Sequence, residues 1–302
     1  MSRIHEALKK AEQERAMSQP TVRVEVGQSV LEPSAEPVGS IPAAPSFHAF
    51  SPGAAFTPES LLTSRRTNWT PDLKTMLFFS GEEHGSGIEE FRTLRSRLYQ
   101  AREKQPLAKL LVTSALPKEG KSFTSANLAQ VIARQHGRRV LLIDADLRNP
   151  QLHNLLGAEP GPGLSEYLQS AADELSIIQR GPMENLFLIP AGRNQGNPAE
   201  LVSNGRMKFL LSRLEAMFDW IIIDSPPAVL VSDAALLANY CDGVLLVVRS
   251  NNTPVDAARK AMQEFSDRNL VGVVLNGMAP GLSPYSQYYY PYGGADKAET
   301  RN

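Results

Sequence analysis

The chain has 302 residues, of which 42% are hydrophobic and 21% are charged, and its formal net charge at pH 7 is −1. This balance is typical of a globular protein with a sizeable core, and the small net charge excludes a global basic field that would recruit nucleic acid or anionic lipid. The single cysteine, Cys241, excludes an internal disulfide and is typical of a reducing compartment. The N-terminus has no signal-peptide core, and no apolar run approaches the ~18 residues that span a bilayer, so we predict a cytoplasmic protein.

Residues 1–16, MSRIHEALKKAEQERA, predict a short helix. Ile4, Leu8 and Ala11 fall on one face of that helix. Because an isolated helix of this length is marginal in water, the segment is either a frayed terminus or a docking helix that becomes ordered on a partner.

Residues 17–79 predict a disordered linker. Eight prolines interrupt Ala, Ser and Gly between residues 17 and 71, and no apolar period survives there. Such a stretch cannot bury enough apolar surface to offset the entropy lost on ordering it.

Residues 80–280 predict one α/β domain. Apolar, β-branched runs alternate with helical patterns such as SFTSANLAQVIARQHG, and the runs are continuous enough for strands buried on both faces of a mostly parallel sheet. The separations suit right-handed βαβ crossovers. The predicted strands are KLLVTS, RVLLIDAD, NLFLIPAG, WIIIDSPP, GVLLVVRS and VGVVLNG.

The loop ALPKEGKS, Ala115 to Ser122, lies between the first of these strands and a helical run. A loop in this position points backbone N–H groups and the positive end of the helix dipole at an anion. In the pattern G-x-x-x-x-G-K-[ST], Lys121 would reach the β- and γ-phosphates of a nucleotide, and Ser122 would bind Mg²⁺. Ala115 stands where the strict pattern has glycine, so a chance Gly-Lys-Ser tripeptide in a turn is the alternative.

Aspartates close two other predicted strands. Asp144 and Asp146 fall in IDADLR, and Asp224 falls in IIIDSPP. Carboxylates at the carboxyl ends of parallel strands lie where α/β sheets bind ligands, although a single aspartate can also cap a helix or start a turn. With Lys121, these residues predict a nucleotide–Mg²⁺ site. One of Asp144 and Asp146 would support the metal, and the other would accept a proton from an incoming hydroxyl.

The combination of ALPKEGKS, LLIDADLR and IIIDSPP resembles the Walker A, A′ and B motifs of bacterial tyrosine kinases. These are P-loop autokinases that govern the export of capsule and exopolysaccharide. The resemblance covers about residues 80–292. It implies a three-layer α/β fold of the P-loop NTPase type with a mostly parallel central sheet.

The resemblance also assigns roles to the site residues. Lys121 and Ser122 would hold ATP and Mg²⁺. Asp144 would be the base, while Asp146 and Asp224 would serve the metal. The loop residues expected to bind the nucleotide are Pro117, Lys118, Glu119, Gly120, Lys121, Ser122 and Phe123.

A tyrosine cluster, SPYSQYYYPYGG, contains five of the eight tyrosines of the chain. The resemblance implies that a neighbouring subunit phosphorylates these residues, and the prolines and glycines of residues 281–302 would keep the tail mobile enough to reach an active site. A sticky aromatic tail that promotes association without chemistry is the alternative. The expected phosphoacceptors are Tyr285, Tyr288, Tyr289, Tyr290 and Tyr292.

The stretch SGIEEFRTLRSRL contains Glu89, Arg92 and Arg95, which fit the E-x-x-R-x-x-R pattern that these kinases use to form rings. Steps of three keep the three side chains on one stripe of a helix. Two plainer interpretations stay open, because Ser86 with Glu89 is also a capping box and Glu89 with Arg92 is also an ordinary surface pair. A head-to-tail ring, in which each subunit feeds its tail to the next active site, is the expected assembly.

The predicted absence of membrane-spanning helices makes the chain similar to the stand-alone form of these kinases. That form implies a membrane-embedded partner from the polysaccharide chain-length machinery, which would recruit the protein to the inner face of the membrane. The helix at residues 1–16 would dock on that partner or on another member of the export system.

Other ligand contacts are marked less clearly in the sequence. Arg249, Asn251 and Asn276 follow late strands at the binding edge and are candidates for adenine contacts, and each could equally be a turn former. The five histidines show no ligand spacing, so we predict no transition-metal site.

Two other classes of protein fit part of the pattern. A switch ATPase of the partitioning and division-site type shares the fold and the DxD strand, but it carries a signature lysine where this chain has Leu116. A non-catalytic, ring-forming scaffold would have a decayed nucleotide site, which the intact lysine, serine and aspartates disfavour.

Overall fold

The computed structural model describes residue 57 and residues 59–79, 87–193 and 196–278. The helix predicted for residues 1–16, most of the predicted linker and the tyrosine cluster lie outside the described residues.

The sheet is built from eight strands: β1 Arg65–Arg66, β2 Lys109–Ser114, β3 Val140–Asp144, β4 Gln179–Arg180, β5 Leu186–Ile189, β6 Trp220–Asp224, β7 Gly243–Arg249 and β8 Leu270–Asn276. Their order in the sheet is β1-β4-β5-β3-β6-β2-β7-β8. All neighbouring strands are parallel except β4 and β5, which are antiparallel. The mostly parallel sheet is therefore confirmed, and each of the six predicted runs contains a strand.

Helices fill the connections. One short 3₁₀-helix spans Ser60–Thr63. The α-helices of the described residues are α1 Ile88–Lys104, α2 Lys121–Ala133, α3 Leu152–Leu156, α4 Leu164–Leu168, α5 Glu174–Ile177, α6 Pro198–Ser203, α7 Arg206–Leu214, α8 Asp233–Ala238 and α9 Val255–Glu264. None of these helices is both long and apolar enough to cross a bilayer.

The helices cover both faces of the sheet. Successive residues of a strand point to opposite faces. Val140 and Leu142 of β3 accordingly pack in one apolar layer with α1, α2 and α3. Leu141 and Ile143 pack in a second layer with α4 to α9. The result is the three-layer α/β fold expected from the sequence.

Residues 59–79 fold against the domain, so the prediction of a linker that runs to residue 79 is wrong at its C-terminal end. Trp69, Met76 and Phe78 are buried in the layer that contains α1 and α2. These apolar side chains enter the core singly and at irregular spacing, and therefore no hydrophobic period marks them in the sequence.

Two buried amide side chains of α2 hold this segment by its backbone. Asn127 donates to the Thr75 carbonyl at 2.9 Å and accepts from the Leu77 amide at 2.9 Å. Gln130 accepts from the Phe78 amide at 3.3 Å. The segment before the predicted domain is thus attached to the helix that follows the phosphate loop.

The strand order brings three loops together at one edge of the sheet. β6 lies between β3 and β2, and Asp144 at the end of β3 is the register partner of Asp224 at the end of β6. β2 ends beside them and leads into the phosphate loop. Because the carboxyl ends of neighbouring parallel strands meet at the same edge, the three motifs lie side by side.

Candidate active site

The loop between β2 and α2 has two residues in the left-handed region. Gly120, the N-cap of α2, has a φ of 96°, and a side chain at this position would collide with the Asn276 amide. Lys118 has a φ of 65°, which costs energy for a residue with a side chain. This turn presents the N-terminus of α2, with its free N–H groups and positive dipole end, at the edge where the strands end.

Glu119 holds the loop in this shape from inside. The residue is 1% exposed. Its carboxylate accepts the Leu116 amide at 2.8 Å and also accepts a short hydrogen bond from the Thr253 hydroxyl. The side chain of Glu119 therefore supports the loop, and the loop backbone is left to face a ligand.

Two of the three candidates for adenine contacts, Arg249 and Asn276, lie at this edge and brace the same loop. Arg249 donates to the Lys118 carbonyl at 3.2 Å, and Asn276 donates to the Glu119 carbonyl at 2.9 Å. Asn251 is an exposed residue in a left-handed turn with a φ of 57°. Whether any of the three contacts adenine stays a prediction.

Lys121 lies at the centre of a buried cluster of charges. Its Nζ is 2.7 Å from Asp146 Oδ2, 3.7 Å from Asp224 Oδ2 and 3.2 Å from Ser122 Oγ. The lysine is 8% exposed, Asp146 is 2% exposed and Asp224 is fully buried. The structure thus brings the lysine and serine of the loop together with carboxylates from two separate strand ends.

Two serine hydroxyls lie against the oxygens of Asp224. Oδ2 accepts the Ser122 hydroxyl at 2.6 Å, and Oδ1 lies 3.2 Å from the Ser125 hydroxyl, which shares its one hydrogen with the Lys121 carbonyl at 2.9 Å. Both serines belong to the start of α2, so this helix orients the carboxylate. Ser125 has no place in the P-loop pattern, although its position one helical turn after Lys121 is a signal that could have indicated it.

Asp144 shapes the loop that follows β3. It is fully buried. Its Oδ2 accepts the amides of Gln151 at 3.1 Å and Leu152 at 3.0 Å, where α3 begins, and its Oδ1 accepts the amide of Asp146 at 3.3 Å. Asp144 is therefore held by main-chain donors, whereas the side chain of Asp146 meets Lys121.

Burial and like charges change the protonation of the cluster. Burial raises the pKa of Asp144 to about 8, and the neighbouring charge of Asp224 adds to this effect. Burial also raises the pKa of Asp224, even though Lys121 opposes it. Burial lowers the pKa of Lys121, but the attraction of Asp224 and Asp146 outweighs it, so the pKa is raised overall and the ammonium stays charged. The pocket holds more acidic groups than its one ammonium can balance.

The loop, the lysine, the serine and the carboxylates together fit a nucleoside triphosphate with a divalent cation. Mg²⁺ is typically bound by one or two carboxylates together with substrate phosphates and water. Among the described residues, no group of three or more His, Cys, Asp or Glu side chains is arranged to hold a metal by itself. A cation at this edge would share Ser122, Asp146 and Asp224 with phosphate oxygens and water. The excess of carboxylates favours the addition of positive charge.

Arg148 ties the loop after β3 to the helix after β6. Its Nε is 2.8 Å from Asp233 Oδ2, and its Nη2 is 3.0 Å from Asp233 Oδ1. Asp233 is 1% exposed at the start of α8. The pair links the two loops that carry Asp146 and Asp224. No sequence motif contains Asp233, and only the DxDxR run could have drawn attention to its partner.

Two loop residues expected to bind the nucleotide are placed differently from the lysine and serine. The ring of Phe123 packs against Phe91 of α1, with the ring centroids 5.8 Å apart. Only the backbone of Phe123 is therefore left for a nucleotide. Pro117 is exposed on the loop.

The stripe of Glu89, Arg92 and Arg95 lies along α1. Arg92 forms an ion pair with Glu89, and their side chains are 35% and 61% exposed. Arg95 donates to the Val131 carbonyl of α2 at 3.0 Å. The helix begins after Gly87, its N-cap, and Ser86 lies outside the described residues. The surface pair is present, and a role for the stripe in an interface stays a prediction.

Comparison with known proteins relates the chain to kinases. A family model described as an AAA domain matches residues 119–265. The tyrosine-protein kinase YwqD of Bacillus subtilis is 39% identical over 210 residues, which are 69% of this chain and 87% of YwqD. The chain belongs to the bacterial tyrosine-kinase family. The kinase domain of the Escherichia coli tyrosine kinase ETK matches this kinase with a TM-score of 0.63 and 36% identity, over 69% of this chain and 81% of that one.

Some relatives are much longer than this kinase. The tyrosine-protein kinase Wzc of Salmonella typhimurium is 33% identical over 224 residues, which are 72% of this chain but 31% of Wzc. The putative tyrosine-protein kinase EpsB of Ralstonia solanacearum is 36% identical over 208 residues, which are 68% of this chain but 27% of EpsB. The kinase thus spans less than a third of these proteins.

Proposed function

We propose that this kinase transfers the γ-phosphoryl group of ATP, with Mg²⁺, to its own C-terminal tyrosine cluster. The observation that carries the proposal is the position of the Lys121 ammonium, 2.7 Å from Asp146 and 3.7 Å from Asp224 in a buried pocket. A lysine in this position can exchange its carboxylate contacts for phosphate oxygens, which frees the carboxylates for a metal. The proposed acceptors are Tyr285, Tyr288, Tyr289, Tyr290 and Tyr292.

The phosphate loop binds and orients the triphosphate in this proposal. The N–H groups from Gly120 to Phe123 would donate to phosphate oxygens, and Lys121 would neutralise the β- and γ-phosphates. Ser122, Asp146 and Asp224 would hold Mg²⁺, which supplies further positive charge to the transferred group when it is bound. Because the cluster is buried, each of these interactions is stronger than it would be in water.

An acceptor phenol, with a pKa of about 10, must lose its proton as the phosphoryl group is transferred. Asp144 is the proposed base, because burial raises its pKa to about 8 and so brings it closer to that of the phenol. Asp146 is the second candidate for this role, because the oxygens of Asp144 already accept three main-chain amides. Their separate replacement by asparagine distinguishes the two.

The acceptor tail comes from a neighbouring subunit of a ring in this proposal. Glu89 and Arg92 are accessible on α1. Arg95 joins the same helix to the Val131 carbonyl of α2, the helix that begins at Lys121. A contact made by the stripe on α1 would therefore be transmitted to α2, the helix that follows the phosphate loop. Several phosphates per tail, each adding about −1.5 to −2 charges, would then repel one another and favour dissociation.

Incubation with Mg-ATP followed by mass-spectrometric mapping of phosphotyrosine tests the activity. We expect phosphotyrosine in the cluster of the native protein and none in Lys121→Met. A mixture tests transfer between subunits: Lys121→Met supplies the tyrosines, and a variant with all five cluster tyrosines changed to phenylalanine supplies the active site. Phosphotyrosine on the Lys121→Met chain is expected only in the mixture. If that chain stays unmodified in the mixture while the native protein is modified, transfer between subunits is excluded.

The phosphorylation would regulate the export of capsule or exopolysaccharide through a membrane-embedded partner. Support comes from a relative named as a putative tyrosine-protein kinase in the cps region of Klebsiella pneumoniae, which is 34% identical over 235 residues. Recruitment to the inner face of the membrane is tested by fractionation. We expect the kinase with the membranes in its own host and in the soluble fraction when it is expressed without the partner.

A further inference from the structure

We propose that the kinase has a second anion site, at the edge of the sheet opposite the nucleotide pocket, that binds a phosphate dianion. The site lies where α1 ends and where β3 and β6 begin, at Val140 and Trp220. The same strands end at Asp144 and Asp224. Four residue steps of extended chain, about 13 Å, separate the two edges, so the proposed site is distinct from the nucleotide pocket.

Three guanidinium groups surround two neighbouring cavities at this edge. The first cavity has a volume of about 220 Å³ and is lined by Tyr99, Arg102, Glu103 and Arg138. The second has a volume of about 230 Å³ and is lined by Arg102, Arg139, Ala216, Met217, Phe218 and Asp219. Arg102 lines both. Each cavity is several times larger than the ~30 Å³ that a water molecule occupies, so a phosphate group fits.

Asp219 and Trp220 fix two of the guanidinium groups. Arg102 Nη1 donates to the Asp219 carbonyl at 2.8 Å, and Arg138 Nη1 donates to the Asp219 carboxylate at 2.8 Å. The Arg102 guanidinium also lies over the Trp220 ring, 5.0 Å from its centroid. Because a guanidinium has five N–H donors, these contacts hold the groups in place and leave further donors for a ligand.

Arg139 and Tyr99 have hydrogen-bonding capacity that the described part of the chain does not use. The Arg139 main-chain amide donates to Asp219, and its guanidinium makes no hydrogen bond with the described residues, although it interacts electrostatically with the carboxylate of Glu59. The Tyr99 hydroxyl is buried and has no partner among them either. An edge contact with the Trp220 ring, with the centroids 5.6 Å apart, holds the tyrosine in place. A buried hydroxyl without a partner is costly, and an acceptor at this edge would remove that cost.

The chemistry of the cluster selects a phosphate dianion. Three guanidinium groups line the two cavities beside two carboxylates, those of Glu103 and Asp219, so the lining itself has surplus positive charge. The exposed carboxylate of Glu59 also interacts with Arg139, from outside this lining. A phosphate offers several acceptor oxygens that match the planar fork of arginine, and a second negative charge that a carboxylate lacks. Two sources share this chemistry: inorganic phosphate, and the phosphotyrosine that a tyrosine kinase produces.

Calorimetric titration of the full-length kinase tests the site. The protein is first saturated with ADP, so that the nucleotide pocket cannot report the binding. We expect inorganic phosphate or O-phosphotyrosine to bind the native protein. Arg139→Gln should weaken that binding by about tenfold or more, and Tyr99→Phe should weaken it several-fold. Lys104→Gln is the matched control, since it removes the same charge from an exposed residue at the end of α1, and its affinity should match that of the native protein.

The two ligands distinguish the sources. Tighter binding of O-phosphotyrosine assigns the site to a phosphate ester, and equal binding assigns it to free phosphate. Arg139→Gln and Tyr99→Phe remove no side-chain hydrogen bond among the described residues, so both should fold, and thermal unfolding without ligand checks this. The proposal is overturned if neither ligand binds the ADP-saturated native protein. It is also overturned if Arg139→Gln and Tyr99→Phe, once shown to be folded, bind as tightly as Lys104→Gln.

Discussion

Asp144 and Asp224 stand side by side as register partners at the ends of β3 and β6, and both are fully buried. Burial raises the pKa of each carboxyl, and for Asp144 the charge of its neighbour raises it further. Lys121 lowers the pKa of both carboxyl groups but does not outweigh their burial, so further positive charge favours ionisation of the two together. Protonation of Asp144 and Asp224 is therefore linked to cation binding, and we expect binding of a divalent metal to release protons from these carboxyl groups.

The change Ser125→Ala tests whether α2 orients Asp224. It removes a buried hydroxyl that is shared between the Asp224 carboxylate at 3.2 Å and the Lys121 carbonyl at 2.9 Å, so we expect the free energy of unfolding to fall by about 1 kcal/mol. The rate of phosphotyrosine formation at saturating ATP should fall roughly tenfold, as is typical when a group that supports a metal ligand is lost. Ser122→Ala removes a proposed metal ligand as well and should cost about 100-fold or more. A native rate for Ser125→Ala would contradict a positioning role.

Replacing Asp144 and Asp146 separately by asparagine distinguishes the base from the metal ligand. A lost base should lower kcat by about 10²- to 10⁴-fold at every Mg²⁺ concentration. A lost metal ligand should instead raise the Mg²⁺ concentration needed for half-maximal rate. We expect the first pattern for Asp144→Asn and the second for Asp146→Asn, with initial rates measured across a Mg²⁺ series. The opposite assignment of the two patterns would make Asp146 the base.

Asp219→Asn should change how stability depends on pH. Partial burial opposes ionisation of Asp219, but hydrogen bonds from Arg138 and the Arg139 amide outweigh it and lower its pKa. A carboxyl group with a lowered pKa in the folded state contributes stability above its unfolded pKa of about 3.9, and that contribution is lost as the pH falls through the folded pKa. We expect a loss of about 1 kcal/mol at pH 7, since the pair is partly exposed. Urea unfolding at several pH values should show the difference from the native protein shrinking below pH ~3.9, and a constant difference would argue against this cause.

Lys118→Gly should stabilise the kinase. Lys118 holds a φ of 65°, which glycine adopts without a steric penalty, so we expect the free energy of unfolding to rise by about 0.5–1 kcal/mol. Lys118→Ala is the matched control, because it removes the same charge and keeps a side chain at the strained position. Urea unfolding of both variants measures the effect. Equal stabilities of the glycine and alanine variants would show that backbone conformation is not the cause.

Asn127→Ala should loosen residues 59–79. It leaves the Thr75 carbonyl and the Leu77 amide without their buried partner, and we expect the free energy of unfolding to fall by about 2 kcal/mol. Limited proteolysis should cut the segment faster than in the native protein. Gln263→Ala, on an exposed position of α9, is the control and should change neither quantity. Protection of the segment in Asn127→Ala equal to that of the control would show that this side chain does not retain it.

The central strands could be predicted because helices bury them on both faces, which leaves continuous apolar runs in the sequence. β1 and β4 could not, since two residues are too few to show a period, and their pairing depends on neighbouring strands. The folding of residues 59–79 against the domain could not be predicted from the sequence either. Met76 and Phe78 enter the core where Asn127 and Gln130, far away in the chain, satisfy the backbone around them.

The first layer of the candidate site follows from topology, since a parallel sheet places the loop lysine and the aspartates that end β3 and β6 at one edge. The supporting layer does not. The roles of Ser125, Asp233 and the inward-facing Glu119 depend on which loops meet, and spacing along the chain does not contain that information.

The Asn276 side chain fastens the end of β8 to the phosphate loop, and its carboxamide oxygen accepts the amide of Gly277 at 2.9 Å. The chain runs on from Gly277 toward the proposed acceptor tyrosines. A truncation meant to remove those tyrosines must therefore leave Asn276 in place. A cut that also removed Asn276 would take away a brace of the phosphate loop, and the resulting loss of activity would resemble the loss of a substrate.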